Sequence, residues 1–422
     1  MSLKISFDNE ERILPKYKEN SLVQEHWKLF LQTIDNPEVG FFHINKRKEL
    51  LSSCVEIFQK FQSRTQFIQV GIGGSSLGPE MLVSALGDQK RSFTFINNID
   101  PEKLSQQLAS LDYQKSLFYI VSKSGGTAET SAAMAIISNW LKEKGVSEKE
   151  FKNYFVFATD PVKSDLLVIA KTFGIYCLEI PSNIGGRFSV LTPVGFLPAL
   201  FAGIDGAQLL AGAQDIKKDL LNTQLNENIL LKSAYYLMSL KEEGFSQTVL
   251  MPYSSKLRDL SFWFVQLWAE SLGKKLNNDG ETVYTGFTPV PAYGATDQHS
   301  QVQLFMEGPY DKTFLLIEVE NFHVDFSLES SFETPSFKKL NRHSLSSLMN
   351  AELKGTIKAF EAANRPHMVL TLESNDAYHL GQLLLFLESL TALTGIMLGI
   401  NTFDQPGVEA GKRYAFEFLD KC

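Results

Sequence analysis

Apolar and polar positions along the chain fall into two regimes. From residue 21 to 62 apolar side chains recur every three or four positions (LVQEHWKLFLQTI, then KRKELLSSCVEIFQKFQ), which predicts helices. From residue 67 onward short apolar runs alternate with helix-period stretches. FIQVGI (67–72), SFTFINNI, LFYIVS (117–122), YFVFAT and IYCLEI read as strands. Between them GPEMLVSAL, PEKLSQQLASL, TAETSAAMAIISNWLKEKG and KSDLLVIAKTFG read as helices, one with proline in its first turn and one ending at Gly145. After a helical stretch (206–243) the alternation resumes. TVLMPY (248–253), 313–320 and HMVLTLE are strands; LRDLSFWFVQLWAESLG, 344–363 and 376–398 are helices.

Apolar strands alternating with helices predict an α/β fold of parallel sheets covered by helices on both faces. The halves share a weak repeat of strand, serine pair and helix: compare QVGIGGSSLG with LMPYSSKLRD. The boundary between them is expected near residues 203–206. Two long apolar stretches, 190–204 and 383–400, read as buried core: the first carries two prolines, the second Glu388.

Bulk properties narrow the classes. A chain of 422 residues is expected to form two domains. Hydrophobic residues at 44% and charged residues at 21% fit a globular protein and exclude collagen-like or disordered chains. A net charge of −8 argues against nucleic acid as the main partner but leaves room for a small anion held by local cations. Cys54, Cys177 and Cys422 are far apart and odd in number, which suits a reducing, cytoplasmic compartment. The charged start lacks the apolar region of a signal peptide.

Three loops could receive a phosphate. Gly71-Ile72-Gly73-Gly74-Ser75-Ser76 joins a strand to a helix, but Ser76 stands where a dinucleotide fingerprint needs glycine. An anion or sugar site and a plain tight turn both remain open there. Ser122-Lys123-Ser124-Gly125-Gly126-Thr127 packs three hydroxyls, two glycines and a lysine ahead of a helix, which favours phosphate over an ordinary N-cap at Thr127. Gly185-Gly186-Arg187 brings a cation beside flexible backbone; a surface arginine is the plainer alternative.

Glu270 sits in the last turn of a helix, beside Leu267 and Trp268. The helix dipole and partial desolvation would both raise its pKa, as suits a general base. Gln266 lies one turn earlier on the same face. A solvated glutamate beside Lys274 and Lys275 is the alternative. His299, in GATDQHSQ, belongs to no metal-ligand spacing, so no metal site is expected. Lys412 follows the Gln405-Pro406-Gly407 turn and otherwise reads as a surface lysine.

Taken in order, GIGGSSLGP, SKSGGTAET, GGRFS, QLWAESLGK, GATDQHSQ and FDQPGVEAGK resemble the glucose-6-phosphate isomerase family from about residue 67 to 412. The resemblance implies two sugar-isomerase (SIS) domains, each a three-layer α/β/α sandwich, over 63–205 and 206–422. Residues 1–62 would form a helical segment packed on the second. It implies that Ser122, Lys123, Ser124 and Thr127 hold the substrate phosphate, and that Gly74 and Ser75 line the sugar site. By the same resemblance Glu270 is the base, Arg187 stabilises the enediolate, His299 opens the ring and Lys412 stands near the ring oxygen. Gln266 and Gln405 surround the sugar, and Glu129 orients the histidine region. No cofactor is implied. A homodimer is, with His299 donated by the partner chain. SKSGGT departs from relatives with bulkier residues at its glycines, and the chain is short for the family.

Other readings differ in chemistry. A non-catalytic SIS sensor would need only the phosphate loop, not Glu270, Arg187, His299 and Lys412 together. An isomerase of mannose 6-phosphate or an amino sugar phosphate would share the site. A nicotinamide oxidoreductase lacks its glycine fingerprint and ribose-binding acid.

Overall fold

The computed structural model describes residues 3–14 and 22–420. Cys422 and the first residue of the expected 21–62 helical stretch lie outside them. Strands are numbered β1–β12 along the chain.

The first sheet holds β2 (Gln66–Val70), β3 (Ser92–Ile96), β4 (Ser116–Val121), β5 (Phe155–Thr159) and β6 (Tyr176–Glu179) in the order β3-β2-β4-β5-β6. Every pairing is parallel. Every residue of β4 and β5 is buried, which is why they read as unbroken apolar runs. The chain passes from β2 to β3 on one side and returns to β4 on the other. That reversal opens a crevice at the carboxyl ends of β2 and β4, where the glycine turn and the SKSGGT loop emerge.

The second sheet repeats the plan. It runs β1 (Lys4–Phe7), β12 (His367–Ser374), β11 (Lys312–Asn321), β7 (Gln247–Pro252) and β10 (Thr288–Pro291). All pairings are parallel except β1 with β12. Both β2 and β7 lead through a short 3-10 turn, Gly73–Ser75 or Ser255–Leu257, into a helix, Leu77–Leu86 or Arg258–Leu272. The repeat seen in the sequence is thus a repeat of structure.

One apolar core is continuous between the sheets, joining Phe67 and Tyr119 of the first to Leu315 and Met368 of the second. Smaller cores lie on the outer faces. The helix Ala377–Met397 is long and apolar enough to cross a membrane, but 89% of its apolar window is buried inside the fold. Gly212 lets a neighbouring helix approach it closely: a Cβ there would stand 1.8 Å from the Tyr378 carbonyl oxygen.

Four strands escaped the sequence pattern. β1 is a four-residue edge strand with no fully buried position. β10 reads Thr-Pro-Val-Pro and tolerates proline because it lies at the sheet edge. β8 (Lys274–Leu276) and β9 (Thr282–Thr285) form a small hairpin. The N-terminal segment touches both halves: β1 extends the second sheet, while the helix Lys48–Phe61 packs on the helix Pro193–Phe201 that follows the first.

Candidate active site

The crevice is built from backbone outward. At Gly73 the backbone turns left-handed (φ +59°), and a Cβ would stand 2.9 Å from the Gln266 amide nitrogen. At Gly74 a Cβ would come within 2.2 Å of the Gly186 carbonyl carbon and oxygen. The glycine turn and the arginine loop therefore meet main chain to main chain.

Arg187 is buried, 3% exposed. Its Nε donates to Ser271 Oγ (2.7 Å). Nη1 donates to Gln405 Oε1 (2.9 Å) and Glu270 Oε2 (3.4 Å). Nη2 donates to the carbonyls of Thr402 (2.5 Å) and Asp404 (3.1 Å). A guanidinium has five N–H donors, and each has an acceptor here. Burial pushes its pKa down, and Glu270 and Asp404 oppose that shift. The surface-arginine alternative is excluded by this depth. Below it Phe188 packs near Phe403 (5.5 Å between centroids), and Phe41 from the N-terminal segment packs on Phe188 (4.9 Å).

Glu270 is on the last turn of the helix Arg258–Leu272, with its side chain 32% exposed. Besides Arg187, its carboxylate accepts from Gln266 Nε2 (3.2 Å). Gln266 Oε1 is buried without a partner, an unused acceptor beside the carboxylate. The carboxylate is thus aimed by two donors rather than left among surface lysines. Lys274 was expected only as such a neighbour. Its side chain is 5% exposed, and its ammonium donates to the carbonyls of Glu270 (2.7 Å) and Asp404 (2.6 Å). Burial, and then the nearby Arg187 charge, lower its pKa.

The SKSGGT loop begins the helix Ala128–Glu143. Thr127 occupies the N-cap position, but its side chain makes no capping bond. Its Oγ1 pairs instead with Ser122 Oγ (2.9 Å), so the helix amides are not claimed by the cap. Ser122 Oγ also accepts from the Gly125 amide (3.1 Å), and Ser124 Oγ from the Gly126 amide (3.3 Å). Lys123 donates to the carbonyls of Ser182 (2.7 Å) and Ile184 (3.0 Å). Ser75 and Glu129 are half-buried; Glu129 lines a narrow gap with Gly71, Ile72, Asn97 and Asn98.

The remaining candidates stand apart. His299 is exposed at the end of a 3-10 turn, Thr296–His299. Lys412 is exposed on the helix Glu409–Leu419 and pairs with Glu409 (2.8 Å). Among the described residues, no hydrogen bond or ion pair joins either of them, or Glu129, to Glu270 or Arg187. Sequence reasoning missed Ser271, Lys274, Thr402 and Asp404. Of these only Lys274, one turn beyond Glu270, had a signal in its spacing.

Comparison with known proteins gives one family. The phosphoglucose isomerase family model matches residues 44–422. A glucose-6-phosphate isomerase of Carboxydothermus hydrogenoformans is 38% identical, over 100% of this chain and 95% of its own. One from Thermus thermophilus is 39% identical over 82% of this chain and 81% of its own. Among solved structures, a hypothetical protein of Thermus thermophilus superposes with a TM-score of 0.91 at 34% identity, covering 99% of this chain and 100% of that one. A glucose-6-phosphate isomerase of Chlamydia trachomatis gives 0.78 at 26% identity, covering 89% and 74%. A family model over residues 44–422 and relatives 38–39% identical over most of both chains place this protein in the phosphoglucose isomerase family.

Proposed function

We infer that the protein interconverts glucose 6-phosphate and fructose 6-phosphate. The observation that carries this reading is the Glu270 carboxylate, fixed between Gln266 and Arg187 at the strand-end crevice. The helix start that would take the phosphate has no side-chain capping bond from Thr127. In this proposal the amides and hydroxyls of 122–127 hold the phosphate, while Gly74, Ser75, Gln266 and Gln405 bound the sugar. Glu129 orients the histidine region.

After ring opening by His299 and Lys412, Glu270 removes the proton on C2 and returns it to C1. The electron pair passes through an enediolate. Arg187 lies 3.4 Å from that base and offers positive charge where negative charge develops. C1 is reduced as C2 is oxidised within one molecule, so the balance calls for no redox cofactor.

We also propose a cytoplasmic homodimer, with the division at 63–205 and 206–422. The exposure of His299 supports the dimer, since a ring-opening histidine must be brought to the site from elsewhere. So do Phe416, Phe418 and Leu419, all more than half exposed on one short helix.

The test couples purified protein and fructose 6-phosphate, with a metal chelator present, to a glucose-6-phosphate-specific dehydrogenase and follows NADPH. Turnover is expected. Glu270→Gln is expected to lower kcat by about 10²–10⁴-fold while inorganic phosphate still competes. Folded protein without turnover would favour a binding-only role, and turnover kept in Glu270→Gln would remove Glu270 as the base.

A further inference from the structure

We propose that Lys123 and Asp160 form a clamp that holds the arginine loop in register with the phosphate loop, making both positioning residues for Arg187. The proposal rests on the isomerase reading above and gives Lys123 a different task from the one its place in SKSGGT suggests.

The side chain of Lys123 leaves the phosphate loop. Two of its three N–H donors go to the carbonyls of Ser182 (2.7 Å) and Ile184 (3.0 Å), just ahead of Gly185-Gly186-Arg187. Asp160 grips the same segment from the end of β5: its Oδ2 accepts from Ser182 Oγ (2.6 Å). Its Oδ1 is fixed by the amides of Val162 (2.8 Å) and Lys163 (3.1 Å). The backbone of Lys123 is pinned in turn. Its carbonyl accepts from the Asp160 amide (3.0 Å) and from Thr159 Oγ1 (3.2 Å). Burial lowers the pKa of the ammonium, and the Asp160 charge opposes that shift.

The arrangement ties the anion site to the charge that acts in catalysis. Arg187 has spent all five donors on its surroundings, so it cannot follow the substrate by swinging its side chain. Its position is set by those acceptors together with the loop that carries it. That loop is braced by Gly74 on one side and by the Lys123–Asp160 clamp on the other. Without the clamp the carbonyls of Ser182 and Ile184 lose a charged donor, and the loop is free to shift Arg187 relative to Glu270.

A phosphate ligand and a positioning residue separate in kinetics. Wild-type turnover is established first; its absence would count against the isomerase reading and not against the clamp. Then kcat and the inhibition constant of inorganic phosphate against fructose 6-phosphate are measured for Lys123→Met and Asp160→Ala. Each variant is expected to lose about ten- to a hundredfold in kcat, as a shifted catalytic group does. The phosphate constant is expected to stay within about twofold of wild type, because no anion contact is removed. The double variant is expected to lose little more than either single one.

A phosphate constant weakened about tenfold or more in Lys123→Met, with or without a fall in kcat, would overturn the proposal and restore Lys123 as a phosphate ligand. Unchanged kcat in both variants would overturn it as well. Should Lys123→Met fail to fold, Asp160→Ala decides by the same split.

Discussion

Arg187 shows how one residue can be legible in identity and illegible in setting. The GGR triplet marks a cation in a pliable loop. Its five acceptors come from residues about 80 and more than 200 positions later, and no local pattern announces them. The same distance hid Asp404, whose carbonyl meets Arg187 only once the second half folds against the first. Arg187→Lys is expected to be far from conservative. An ammonium offers three donors to five acceptors and lacks the planar fork, so at least two of the five acceptors lose this donor. We expect kcat to fall by about a hundredfold or more and the melting temperature to drop, measured by steady-state kinetics and calorimetry. A variant with normal turnover would show that a charge alone suffices there.

At the scale of elements, the central strands were readable because burial on both faces makes them continuously apolar. The edges were not. β1 and β10 lack that signal, since an edge strand keeps one side open and tolerates charge or proline. The loops were readable as donor-rich turns, but not how they meet. The glycine turn touches the arginine loop through bare backbone, so Gly74→Ala would drive a methyl into the Gly186 carbonyl 2.2 Å away. The expected result is a loss of about tenfold or more in kcat/KM, with a smaller loss of stability as the two loops part. Unchanged kinetics would mean that the turn can move without consequence. Thr127 makes the complementary point: the sequence offers it as a cap, and the fold uses its hydroxyl to bind Ser122 instead.

At the scale of the whole molecule, the continuous core carries a buried acid. Glu388 is 1% exposed, and its Oε1 has no hydrogen-bond partner. Burial holds its pKa well above the usual carboxylate range, so the fold keeps it protonated. Unfolding returns it to ordinary acidity. Its contribution to stability therefore declines as pH rises above the unfolded value, until the folded value is passed. Glu388→Gln removes the titration, and we expect it to raise the melting temperature more at about pH 8 than at about pH 5. An equal effect at both would mean that the acid already titrates normally in the fold. Assembly belongs to this scale too. Sedimentation is expected to give a dimer, and a monomer with full turnover would detach His299 from its proposed role.

The contact of Phe41 with Phe188, and more loosely with Phe403 (6.2 Å), bears on where the working protein starts. The family match begins at residue 44. Phe41 lies outside that stretch, yet it props both walls that hold Arg187. The family model and the mechanical support of the arginine therefore have different borders in this chain. Variation ahead of residue 44 can tune the rigidity of the catalytic arginine while leaving every recognisable motif intact. Two relatives with identical signature sequences can differ in rate for reasons written ahead of the stretch that the family model describes.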